Sequence, residues 1–325
     1  MKTCNLILSI EDSQDRSKWL QIRNQGIGGS DAGAILGMNK YRSAADVWLE
    51  KTGAKQPEDL TDKEAVRAGI MLEPTVAKMF EEDTGKKVTR RGTLQSISHP
   101  FMLANIDRTV IGENAGLEIK TAGGWAAKLW EGDEVPDAYY CQCLHYMAVT
   151  GADRWYIAAL IGGQHFLWKT IERNEEDIRF LIEKEAKFWD YVKTNTPPPI
   201  DASEACGRAL AYRYNNAEAG SVMDLPSEAG KILQRLDEYA NIIARLKEAE
   251  QAGKNALMAM LKENETGIYT DEDGNKRKVT WKAPKPSESV KLSDIKKKDP
   301  DEYKALKEKG FVTLRENGRR LRIGK

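Results

Sequence analysis

Two runs of residues hold side chains that could do chemistry: Asn105-Ile106-Asp107-Arg108 and, after a short gap, Leu117-Glu118-Ile119-Lys120-Thr121. The pattern reads as a strand ending in an acid, a turn, and a second strand with acid and lysine two apart. Strand side chains alternate between faces, so Glu118 and Lys120 point one way while Leu117, Ile119 and Thr121 face the other. With Asp107 alongside, two carboxylates and an ammonium converge on one surface. That set suits phosphodiester hydrolysis. Mg²⁺ is a hard cation that takes carboxylate and water oxygens and offsets the charge developing on phosphorus. Lys120 can orient or deprotonate an attacking water, or stabilise the pentavalent phosphorus by its charge. An acid and a lysine two apart also describe an ordinary solvated strand. The preceding Asp at hairpin distance tips the reading towards chemistry.

The elements that must position these residues follow from periodicity. Helical patterns cover 30–36, Ala44–Lys51 and Glu64–Thr84, and strand-like runs cover 88–95, 101–110 and 116–121. Next come a helical stretch at 139–149, strands at Arg154–Ile161 and 165–171, and a helix at 174–193. This order predicts an α/β sandwich around a mixed sheet, with the acids on its central hairpin. The run Thr194-Asn195-Thr196-Pro197-Pro198-Pro199 cannot continue a helix and marks a boundary. It separates a domain at 1–196 from a segment at 200–325.

In that segment Ala229, Ile232, Leu236, Tyr239, Ile243, Leu246, Leu257 and Met260 recur on alternating three- and four-residue steps, interrupted at Glu250 and Gly253. Either a helical hairpin or an imperfect coiled coil is expected. Residues 266–281 read as a β-hairpin turning at Asp273-Gly274, and 313–323 alternate charged with apolar positions. The appendage is therefore helical with a small β component.

The 41% hydrophobic content supports a real core. No run reaches the roughly 18 apolar residues of a membrane span, and the first residues turn acidic too early for a signal peptide. Four irregularly spaced cysteines argue for free thiols in a reducing compartment, and a cytoplasmic protein is expected. Fifty basic and fifty acidic residues cancel, yet residues 276–325 hold 17 Lys or Arg against 7 Asp or Glu. A basic end suits a phosphate backbone, and equally a solvated surface.

The acid followed by Glu-x-Lys resembles the PD-(D/E)XK nuclease signature, and its surroundings resemble the YqaJ-type viral recombinase exonucleases, relatives of the lambda phage exonuclease. The resemblance covers roughly residues 15–200 and rests on five blocks in family order: 19–32 (WLQIRNQGIGGSDA), 69–74 (GIMLEP), 105–108 (NIDR), 117–121 (LEIKT) and 139–147 (YYCQCLHYM). Ile106 stands where the signature's name has proline. The metal needs the carboxylate rather than the imide, so this departure matters little.

The resemblance implies a restriction-endonuclease-like α/β core. It implies catalysis by Asp107, Glu118, Lys120, Glu73 and Gln142, with Asp107, Glu118 and Glu73 as ligands of two Mg²⁺ ions for which Mn²⁺ substitutes. By the same resemblance Arg23 and Ser30 hold a 5′-phosphate, and the glycine-rich run 26–31 opens a helix whose free N–H groups attract anions. The implied activity digests the 5′-phosphorylated strand of linear duplex DNA and leaves 3′ overhangs. The implied setting is a homo-oligomeric ring and a single-strand annealing protein in a bacterial host cell.

Trp125 and Trp130 could stack on DNA, and Tyr146 lies on one helical face with Gln142 and His145. Packing is the plainer role for each aromatic. Cys141 and His145 are spaced for zinc on one helical face, but no fourth ligand is evident. Two rival functions stay open: a nuclease of the same fold that cuts internally or at branches, and a noncatalytic DNA-binding assembly protein.

Overall fold

The segment Arg154–Ile161 is buried along almost its whole length, which is how a strand reads when helices cover both sheet faces. In the computed structural model, residues 2–57, 62–216, 218, 220–284 and 289–313 are described, and they form two compact units divided after Asn216.

The first unit begins with β1 (Cys4–Leu8), α1 (Arg16–Arg23), β2 (Ile27–Gly28), α2 (Gly29–Ile35), α3 (Ala44–Lys51) and α4 (Glu64–Thr84). Short strands follow: β3 (Val88–Thr89), β4 (Thr93–Ser96), β5 (Met102–Ala104) and β6 (Arg108–Val110), then the longer β7 (Ala115–Ala122). The unit closes with α5 (Asp137–Thr150), β8 (Arg154–Ile161), β9 (His165–Glu172), α6 (Glu175–Lys193) and α7 (Glu204–Arg213). Five strands form a mixed sheet in the order β3-β6-β7-β8-β9, in which only β7 and β8 are parallel. That parallel pair needs a crossover, and α5 supplies it. A second sheet runs β1-β4-β5-β2.

The runs 88–95 and 101–110, each expected as one strand, are both broken. Their halves belong to different sheets, with β3 and β6 in one and β4 and β5 in the other. Asp107 therefore sits in the joint between β5 and β6 and opens the β6–β7 hairpin rather than ending a strand.

Alternation along β7 assigns its faces. Leu117 and Ile119 pack with Val76, Ala77 and Phe80 of α4, while Glu118 and Lys120 turn towards Gln142 of α5. α4 runs through Pro74 as one continuous helix. The α5 helix is buried on nearly every side, as expected of a helix apolar all round. His145 anchors it to two neighbours: Nδ1 lies 2.8 Å from Glu185 of α6, and Nε2 lies 2.9 Å from the Leu103 carbonyl of β5. That commitment leaves no imidazole nitrogen for zinc, and Cys141 and Cys143 are buried free thiols. Beyond the proline run the chain returns to this unit. Arg213 of α7 lies over the Trp48 ring at 4.8 Å, and Arg208 donates to the Tyr41 carbonyl.

In the second unit, α8 (Glu228–Leu261) is a single unbroken helix, so of the two arrangements open to this segment no helical hairpin forms. Gly253 does not stop it, since one glycine costs a helix only about 1 kcal/mol. β10 (Thr266–Thr270) and β11 (Lys276–Thr280) make the expected hairpin, with Gly274 at φ 82° in its turn. α9 (Leu292–Lys298) and α10 (Pro300–Glu308) follow. The alternating pattern at 313–323 lies, beyond Thr313, outside the described residues. Among the described residues no helix is long and apolar enough to cross a membrane.

The small residues of α2 let it lie against α5. A Cβ added at Gly29 would stand 2.5 Å from the Tyr146 ring, whose hydroxyl is held by other bonds. The variant Gly29→Ala is expected to lose about 1–3 kcal/mol of stability in urea unfolding, since the ring cannot yield without breaking those bonds. A midpoint equal to wild type would show that α2 is not packed as closely as described.

Candidate active site

The β6–β7 hairpin and α5 bring together four of the residues singled out in sequence. Asp107 accepts the Ile119 N–H across the hairpin at 2.7 Å. Lys120 donates to Glu118 Oε1 at 2.5 Å and to Gln142 Oε1 at 3.0 Å, and its ammonium lies 4.8 Å from the Tyr139 ring centre. Gln142 also donates to Glu118 Oε1 at 2.8 Å, so one carboxylate oxygen serves two donors. Glu118 is only 3% exposed, and its other oxygen, Oε2, is buried with no hydrogen-bond partner among the described residues.

Electrostatics here are those of a crowded anionic site. Burial pushes the Asp107 carboxyl well above its usual range, and the Glu118 charge pushes it further. Burial also raises Glu118, with Glu73 adding to the shift against the opposing pull of Lys120. Burial works against the Lys120 charge, but Glu118 and Asp107 together hold it firmly protonated.

Glu73 lines the same cleft of about 310 Å³ as Asp107, Glu118 and Lys120. Its Oε1 accepts from Arg108 at 2.6 Å and from Arg90 at 3.3 Å. Gly69, one turn earlier on α4, lies close to β7, where a Cβ would meet Thr121 Oγ1 at 3.2 Å. Among the described residues no three His, Cys, Asp or Glu side chains form a ready metal cage. Such a cage is not the usual arrangement for Mg²⁺, which binds one or two carboxylates and keeps its remaining positions for water and substrate phosphate. Asp107 and the unpartnered Glu118 oxygen fit that requirement, because a buried polar atom normally has a partner and a hard cation is one.

Arg23 and Ser30 also come together. Arg23 Nη2 lies 3.3 Å from Ser30 Oγ and 3.1 Å from Asp31 Oδ1. Asp31 is fully buried and gathers two further cations, Arg42 at 2.5 Å and Lys51 at 3.0 Å. The α2 start adjoins the hairpin through Tyr146, which contacts Gly29 and whose hydroxyl accepts from Gln142 at 2.9 Å and donates to the Asn105 carbonyl at 2.8 Å. Tyr146 is buried, so it braces the site from inside and offers no ring face for stacking. Trp125 is 71% exposed, with the Lys40 ammonium 5.6 Å from its ring centre. Trp130 is buried and stacks on Tyr139.

Sequence reasoning missed Arg108, Asp31, Arg42 and Lys51 as partners of the site. Arg108 stood next to the acid in the chain. The Asp31 cluster carried no signal, because its cations come from α1, the loop before α3, and α3.

A model of the YqaJ-like viral recombinase domain matches residues 18–153. Uncharacterized protein YqaJ of Bacillus subtilis (strain 168) is 36% identical over 307 residues, which is 93% of each chain. The chain belongs to the YqaJ-like viral recombinase family. Among solved structures it is similar to an alkaline exonuclease from Laribacter hongkongensis, with TM-score 0.49 and 19% identity, over 55% of this chain and 93% of that one. It is also similar to a phage-related exonuclease from Haemophilus somnus 129PT, with TM-score 0.41 and 12% identity, over 55% and 99% of the two chains.

The Asp31 cluster sets a pH dependence. Burial opposes its charge, yet Lys51, Arg23 and Arg42 hold the carboxyl well below the usual carboxylate range. A carboxylate lowered on folding stabilises the protein above its unfolded pKa, near 4, and that contribution fades as pH falls further. The variant Asp31→Asn strands buried cations and should lose about 3–5 kcal/mol at pH 7. It should also show a flatter decline between pH 5 and 3 than wild type. Parallel stability curves in urea unfolding across that range would contradict the assignment.

Proposed function

We propose that this protein is a Mg²⁺-dependent DNA exonuclease that digests the 5′-phosphorylated strand of linear duplex DNA and leaves a 3′ overhang for recombination. The observation that carries the reading is the buried Glu118 carboxylate beside Asp107, with one oxygen shared by Lys120 and Gln142 and the other without a partner among the described residues. Membership of a viral recombinase family supports DNA ends as the substrate.

Asp107 and Glu118 would hold the divalent ions, and Glu73, which lines the same cleft and now accepts from Arg108 and Arg90, would be a further ligand. Bound there, the ions supply positive charge against the phosphate oxygens. Gln142 fixes the Glu118 rotamer and keeps Lys120 in register. Lys120 donates in both of its observed bonds, to Glu118 and Gln142, which places its ammonium to orient water or a phosphate oxygen. Arg23 and Ser30 share one small region at the start of α2, where they receive the terminal 5′-phosphate. Trp125, the exposed second residue of the 3-10 segment Gly124–Trp130, offers a stacking surface for an unpaired base. A ring-forming oligomer and a single-strand annealing partner complete the proposal.

The test is digestion of a linear duplex with and without 5′-phosphate, in Mg²⁺ or EDTA, beside an uncut circular plasmid. Wild type should remove the 5′-phosphorylated strand in Mg²⁺ only and spare the circle. The variant Lys120→Ala should lose on the order of 100-fold or more in rate. The variant Arg23→Ala should lose the preference for a 5′-phosphate. Nicking of the circle would favour an internal-cutting nuclease, and full activity in Lys120→Ala would remove the proposed centre.

A further inference from the structure

The long helix α8 carries an apolar seam that nothing among the described residues covers. Leu246 is 64% exposed and Met260 75%, and Ile232, Tyr239, Ile243 and Leu257 are exposed as well. Only Leu261, at the end of the helix, is buried, where it lies against Gly267 of β10. The seam positions repeat every three or four residues, the spacing of a two-helix coiled coil. A 34-residue helix is about 51 Å long at 1.5 Å per residue.

The two interruptions decide what fits this seam. A parallel, in-register copy would set Glu250 against Glu250 and Gly253 against Gly253, giving a buried like-charge pair beside a void. An antiparallel copy centred between Ile243 and Leu246 pairs the same positions differently. Gly253 then receives the larger Leu236, and Ala229 faces Met260. Glu250 meets Tyr239, whose hydroxyl can donate to the carboxylate. Ile232 lies on Leu257, and Ile243 on Leu246. Every small or polar position meets a larger or donating one. The flanking positions agree: Lys254 and Lys247 fall beside Leu233 and Ala240, where their methylenes cover apolar surface and no like charges meet.

We propose that α8 is a self-association surface whose occupant is α8 of a second copy of this chain, antiparallel, with the dyad between Ile243 and Leu246. Area is consistent with this. A stable interface covers about 800 Å² per partner, or roughly 80 Å² for each of the ten seam positions. Side chains as exposed as Met260, Leu246 and Tyr239 supply that and offset Gly253 and Ala229. The pairing is independent of the nuclease reading.

The test uses the full chain. Wild type should associate in sedimentation equilibrium at micromolar concentration. The variant Ile243→Lys changes an exposed residue and should keep its helicity by circular dichroism while weakening association roughly 100-fold or more. Orientation is read by cysteine pairing in a Cys4→Ser background. Chains carrying Ala229→Cys mixed with chains carrying Met260→Cys should form a disulfide-linked dimer on mild oxidation, and neither should do so alone. Dimers formed by either variant alone would overturn the antiparallel assignment. A wild type that stays monomeric, or an Ile243→Lys variant that associates as wild type does, would overturn the self-association and leave the seam to a different protein.

Discussion

A buried carboxylate, Glu118, and a half-buried one, Asp107, stand side by side and repel one another, with much of their hydration given up. Lone buried charges of this kind are costly, and the site persists because its surroundings meet part of that cost. The Ile119 N–H serves Asp107, while Lys120 and Gln142 serve one oxygen of Glu118. What remains uncompensated is the second Glu118 oxygen, and burial leaves the pKa of both acids raised; the proposed cation would meet that oxygen and neutralise the pair.

The fold is arranged around keeping that pair in place. β7 and β8 are parallel, so a crossover helix must cross the sheet, and α5 lands where Gln142 reaches the hairpin. α5 is fixed in turn by His145 between Glu185 and the Leu103 carbonyl, and by Tyr146 between Gln142 and Asn105. α2 packs on the same helix through Gly29, so the Arg23 and Ser30 region and the carboxylate pair share one support. The buried Asp31, with three cations around it, holds Arg23 in that region.

Local pattern revealed the hairpin of the proposed site because its information is local: alternation on β7 alone puts Glu118 and Lys120 together, and α3 and α4 have the bounds their periodicity implies. The breaks between β3 and β4 and between β5 and β6 fall at Arg90-Arg91-Gly92 and Asn105-Ile106-Asp107, three residues each, too short for a loop signal to outweigh the apolar residues that resume at once on the far side. Helices α1 and α7 were missed because their apolar stripes are short. Tertiary partnerships such as Arg108 with Glu73, or Lys51 with Asp31, depend on elements far apart in the chain, and residue spacing carries no record of them. Tyr146 shares a helical face with Gln142 and His145, which left a DNA contact or packing open; α5 is covered on nearly every side, and that face points into protein.

The central claim is that Asp107 and Glu118 form a cation site before any substrate arrives. Mn²⁺ binding followed by electron paramagnetic resonance on the free protein tests it without recourse to activity. Wild type should bind Mn²⁺ in competition with Mg²⁺, and Glu118→Gln, which preserves shape but removes the charge, should weaken that binding at least roughly tenfold. Equal binding by wild type and Glu118→Gln would contradict the account.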